Sequence, residues 1–96
     1  MAYIYEIVDN SDEEQYFSLG YFIDKKEAVN EFNSCREPAD FGSPIMPEEQ
    51  AEFEVREHKV GWGSYYKVVA SVKFISKYNE KEDDYKWEKS INSIED

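Results

Sequence analysis

One segment of this chain, "DKKEAVNEFNSC" at residues 24–35, repeats its apolar positions with the period of a helix, while most of what surrounds it alternates with a period of two. One helix among several strands has few ways to bury its apolar stripe other than against one face of a sheet. The helix signals are local. Asp24 suits the N-cap, Glu27 stands three positions on to complete a capping box, and Ile23 and Ala28 occupy the positions of a hydrophobic staple. Ala28, Val29, Phe32 and Cys35 then form one apolar stripe, with Lys25, Lys26, Glu27, Asn30, Glu31 and Asn33 opposite. Pro38 predicts an end at Arg36 or Glu37.

Before the helix, "YIYEIV" (3–8) reads as a strand covered on both faces. "QYFSLGYFI" (15–23) reads as a second, with Phe17, Leu19, Tyr21 and Ile23 on one face. The short acidic stretch between them predicts an antiparallel hairpin with a charged tip. After the helix, "EPADFGSPIMPEEQ" (37–50) holds all three prolines and little periodicity. It is a long connection for so small a chain, and Phe41, Ile45 and Met46 suggest that it packs back on the body. Within it "PEEQ" has the pattern of a short helical turn opened by Pro47.

Three more strands follow. "AEFEVREHKV" sets Phe53 and Val55 against Glu54, Arg56 and a solvated His58. "SYYKVVASVKFISKY" places Tyr66, Val68, Ala70, Val72 and Phe74 on one face and Lys67, Ser71, Lys73 and Lys77 on the other. "YKWEKSI" alternates Tyr85 and Trp87 with Lys86 and Glu88, and residues 92–96 read as a frayed tail. Gly61 and Gly63 provide the positive φ values of a tight turn between the first two of these strands. The expected architecture is a single α+β domain over residues 1–96. Its order is β-β-α-β-β-β, with an antiparallel sheet of four to five strands and the helix packed on one face.

Charge separates the chain into two parts. Residues 1–57 carry 15 acidic and 4 basic side chains, whereas residues 58–96 carry 7 of each, so the whole net charge of −11 falls in the first part. An apolar fraction of 41% with 17% aromatics is too rich for a disordered acidic chain, which leaves a folded protein with an acidic side. Phosphate backbones and anionic lipid repel such a surface, so neither direct nucleic-acid binding nor membrane binding is expected. The N-terminal "MAYIYEIVDN" lacks the basic and apolar regions of an export signal, and the lone Cys35 gives no sign of an oxidising compartment; the cytoplasm is the expected location.

Few residues invite chemistry. Cys35 on the helix stripe reads as a small buried hydrophobe with a raised pKa, and a Cys35–His58 dyad would need the helix to meet the end of the third strand. With one Cys and one His no structural zinc site is expected, and "DNSDEE" and "EKEDD" lack the ligand alternation of a calcium loop. "GWGS" leads into a strand, so it is no phosphate cradle. No cofactor and no enzymatic activity are expected.

The segments "YIYEIVDNSDEE", "SLGYFIDKKEAVNEF" and "FEVREHKVGWG" resemble a group of small uncharacterised bacterial and phage α+β domains, over roughly residues 3–62. The resemblance implies the fold and brings no catalytic residue. Three functional readings stand side by side. The first is an interaction protein of the inhibitor or immunity type that meets a basic partner surface, presenting carboxylates as a nucleic acid presents phosphates. Asp12, Glu13, Glu14, Glu27, Glu31, Glu48, Glu49, Glu52, Glu54 and Glu57 would carry that contact. The second is a small-ligand or enzymatic site under the 37–50 loop, rimmed by His58, Trp62, Tyr65 and Tyr66. The third is a homodimer joined at the edge of the last hairpin through Tyr85 and Trp87.

Overall fold

The computed structural model describes residues 2–12, 14–44, 48–61, 63 and 65–94, with side chains to residue 90. Among these residues five strands form one antiparallel sheet in the order β2-β1-β3-β4-β5: β1 (Tyr3–Asp9), β2 (Phe17–Phe22), β3 (Gln50–Lys59), β4 (Tyr66–Asn79) and β5 (Asp84–Ile94). Helix α1 (Lys25–Ser34) and a 3-10 turn (Pro38–Phe41) lie on one face. The expected α+β architecture with one helix on an antiparallel sheet is the observed one. β1 sits inside the sheet between β2 and β3, which accounts for its apolar run.

Asp24 caps α1 by accepting from the Lys26 amide at 2.8 Å. The expected staple does not form: Ala28 is buried, but Ile23 is 88% exposed. The helix ends at Ser34, before Arg36 and Glu37, and Cys35 turns extended as its C-cap. No basic residue of the helix itself serves its last turn. Lys89 of β5 does so instead, with Nζ at 2.7 Å from the Cys35 carbonyl and 3.1 Å from that of Asn33.

The core lies between helix and sheet. Ala28 and Phe32 pack over Tyr5, Ile7, Ala51, Phe53, Val55, Val69, Ala70, Val72 and Phe74. Pro38 opens the 3-10 turn that delivers Phe41 to this layer, where its ring stacks on Phe53 at 3.9 Å and meets Phe32 edge-on at 5.6 Å. The start of the 37–50 connection thus packs on the body, as Phe41 predicts. Ile45, Met46 and Pro47 lie outside the described residues, and Gln50 already belongs to β3. Buried Asp9 anchors the same connection, accepting from the hydroxyls of Ser43 and Ser11 and from the Ser11 amide at 2.9 Å.

Two bulges overturn the expected side-chain alternation. Ile7 pairs with Gly20 and Val8 with Ser18, so Leu19 is an extra residue in β2. Beyond it the faces exchange: Phe22 packs against the core, and Tyr21 is 64% exposed. In β4, Val55 pairs with Ala70 and Arg56 with Val68, leaving Val69 as the extra residue. Val69 joins Ala70 in the core, while Val68 and Tyr66 turn to the opposite face and are exposed. A third correction concerns the tail. Ser93 pairs with Ser71 and Ile94 with Ala70, so residues 92–94 belong to β5 and do not fray.

Candidate functional site

The centre of the sheet face away from the helix is built by β1, β3 and β4, with β2 and β5 at its flanks. Alternation puts Glu6 and Val8, Glu52, Glu54, Arg56 and His58, and Tyr66 and Val68 on this face. At its centre Arg56 is 6% exposed, its guanidinium held between the rings of Tyr16, 4.5 Å from the centroid, and Tyr66, 4.3 Å away. Its Nε donates to Glu54 Oε2 at 2.6 Å, and Asn10 Nδ2 donates to the other Glu54 oxygen at 3.2 Å. His58 does not stand free in solvent: Nε2 lies 2.9 Å from Glu6 Oε1, with the His58 ring tilted against Tyr66.

Glu6 is 4% exposed. Burial alone would push its carboxyl up, but hydrogen bonds from Ser18, Tyr21 and His58 hold it below the ordinary 4.5. A depressed folded-state value means that Glu6 adds stability above the unfolded value near 4.5 and loses it as pH falls through the folded value. Glu6→Gln should therefore flatten the acid limb of stability. Melting curves from about pH 7 to about pH 3 check this; a variant with the same acid loss as the parent would show that the carboxylate is not responsible.

The buried side-chain nitrogen and oxygen atoms of the described residues are all partnered. Within the open-face cluster the buried side-chain groups thus satisfy one another, which ties β1 to β3. Cys35 and His58 fall on opposite faces, so they form no dyad. Burial pushes the Cys35 thiol up, with Asp40 and Glu31 adding to the effect.

The two halves of the expected ligand site also separate. Beneath the start of the 37–50 connection a cleft of about 190 Å³ is bordered by Ile7, Leu19, Phe22, Cys35 and Phe41. Tyr65 and Tyr66 border a different cleft, of about 410 Å³ at the far end of the sheet, with Tyr3, Glu57, Lys59 and Lys67. His58 borders neither, and Trp62 lies outside the described residues. Gly61 (φ 91°) and Gly63 (φ 63°) make the positive-φ turn beside the second cleft, as expected.

The acidic residues are brought together only in part. The Asn10 amide donates to the Glu52 carbonyl at 2.8 Å, and Ser11 Oγ accepts from the Glu52 amide at 3.0 Å. These bonds lay the β1–β2 loop, with exposed Asp12 and Glu14, beside the start of β3, with exposed Glu48 and Glu49. Glu52 projects nearby, 3.8 Å from Lys73 Nζ. Glu54 is bound to Arg56. Glu27 and Glu31 ride on the helix, across the sheet from Glu52 and Glu54. Glu57 hydrogen-bonds Tyr5, whose phenol is pushed up to about 12, by burial first and then by that carboxylate. Glu13 lies outside the described residues.

Sequence reading missed Tyr16, Glu6 and Asp9 as parts of polar clusters. The one available signal was Arg56 itself, the only arginine in a strand and flanked by acids. Among the described residues no three His, Cys, Asp or Glu side chains are grouped to hold a metal ion, and no helix is long and apolar enough to cross a membrane. Comparison with protein-family models, with curated proteins and with solved structures finds no match to this chain.

Proposed function

We propose that this chain is a non-catalytic binding domain that docks the acidic end of its sheet on a basic surface of a partner protein. One observation carries the reading: the Asn10–Glu52 backbone bond joins two segments remote in sequence and sets Asp12, Glu14, Glu48 and Glu49 at one end of the molecule, all exposed. The charge excess of residues 1–57 supplies a field that steers a cationic partner to that end. The open sheet face lends rigidity behind it, because the Arg56–Glu54–Asn10 chain ties the β1–β2 loop to β3.

The test is a charge-neutralised form, D12N/E14Q/E48Q/E49Q, compared with the parent in capture from cell extract at about 50 mM and about 500 mM salt. A partner retained at low salt by the parent should be lost at high salt. The neutralised form should bind it at least about tenfold more weakly, a difference of about 1.4 kcal/mol. Its melting temperature should not fall, since neutralisation relieves like-charge repulsion. Equal capture by both proteins at both salt concentrations would defeat the proposal.

A further inference from the structure

The two edges of the sheet differ. β2 is short and carries a bulge at Leu19, both of which discourage pairing with another chain. β5 runs Asp84–Ile94 and is regular from Asp84 to Ile91, with its extra residue, Asn92, only beyond that point. The far part of β5 is also poorly supported. β3 begins at Gln50, opposite Ile75, and the Glu49 carbonyl accepts from Ser76. Beyond Ser76, β5 is the one strand among the described residues that pairs with β4, as Lys77 with Lys86 and Tyr78 with Tyr85. A two-stranded ribbon of this kind is marginal in water by itself. Tyr78 and Tyr85 stand 51% and 67% exposed on it, their rings 5.5 Å apart.

We infer that the free edge of β5 takes a second copy of this chain, as an antiparallel β5–β5 pair centred on Trp87. The occupant follows from symmetry and charge. An antiparallel pair of identical edges has its two-fold axis perpendicular to the sheet, which keeps each residue on its own face. Directly opposed residues must share a face, so the axis passes through a residue opposite itself and never between two residues. Few registers remain. Centring on Lys86 opposes Lys86 to itself and Asp84 to Glu88, and centring on Glu88 opposes Glu88 to itself. Centring on Tyr85 leaves a strand overlap of only Asp84 to Lys86, while centring on Lys89 opposes lysines and runs into the bulge at Asn92.

Centring on Trp87 sets Lys86 of each copy against Glu88 of the other, twice over, with Tyr85 against Lys89 and Asp84 against Ser90. Lys86 and Glu88 are 58% and 62% exposed, and each already holds one surface partner: Glu82 at 2.7 Å for Lys86 and Lys77 at 3.1 Å for Glu88. The new contact would extend these pairs into a row of alternating charge, Lys77–Glu88–Lys86, on each side of the axis. Charges on an edge strand ordinarily discourage pairing with foreign strands. Here their order admits one register and a copy of the same strand.

The experiment is sedimentation of the full chain over a concentration series, with amide exchange of β5 followed at both extremes. The parent should sediment as a dimer at high concentration, with those Asp84–Ser90 amides that point away from β4 becoming protected as the dimer fills. Lys86→Glu and Glu88→Lys should each weaken the dimer at least about tenfold, because each puts like charges in opposition. The exchanged pair K86E/E88K should restore it. Either single variant is checked for an unchanged circular-dichroism spectrum, and the rescue by the pair separates register from folding. A monomeric parent, or a dimer that ignores both single changes, would overturn the inference.

Discussion

Phe53→Ala should lower stability by about 4 kcal/mol, enough to bring a small domain with roughly 5–15 kcal/mol in hand close to unfolding. Phe53 is 1% exposed, lies flat against Phe41 and meets Phe74 edge-on at 5.9 Å. Its removal opens a cavity where helix, 3-10 turn and sheet converge. The loss also releases Phe41, so the start of the 37–50 connection loses its hold on the sheet. For a chain of this size the melting temperature should fall by roughly 15–30 °C, at about 4–8 °C per kcal/mol. Phe53→Leu, which refills most of the space, should cost under about 1.5 kcal/mol. Thermal melts of the two variants check the pair, and equal, small losses from both would show that the aromatic layer is not what holds the connection down.

Arg56→Met should cost about 3 kcal/mol, although the change is to an apolar residue of similar length. The reason is what stays behind. Glu54 is 13% exposed in its side chain and, among the described residues, would keep the Asn10 amide as its hydrogen-bond donor, while Tyr16 and Tyr66 would face each other across a missing cation. Arg56→Lys should recover only part of the loss, because an ammonium does not present a flat face to two rings while donating to a carboxylate. The double change R56M/E54L should be nearly neutral relative to the parent, since it removes both charges together. Denaturant midpoints at constant slope provide the measurement. If the double variant proves as unstable as R56M, the cost belongs to the lost ring contacts and not to the stranded carboxylate.

Much of the fold was legible because its signals are local. Asp24 marks the helix start within two residues of the amide that it caps, and Ala28, Phe32 and Cys35 reveal the buried stripe by spacing alone. Tyr85 and Trp87 alternate with Lys86 and Glu88 as expected, with Trp87 half-buried against the core. The misread faces at Tyr21 and Tyr66 have a single cause. A bulge shifts the period by one residue, and neither Leu19 nor Val69 differs in type from its neighbours in a way that announces it. His58 was misread for a related reason: its partner Glu6 is remote in sequence and adjacent only through the pairing of β1 with β3.

Capping, periodicity and net charge depend on residues close together along the chain, so one capped helix, the strands around it and a charge excess held in residues 1–57 are written in the amino-acid order. It takes the assembled sheet to bring β1 between β2 and β3, to set Arg56 between two tyrosines, and to lay the acidic β1–β2 loop beside the start of β3. Those outcomes require distant strands to satisfy their backbone bonds and bury their apolar faces together. No stretch of chain short enough to read locally contains both partners of any of them.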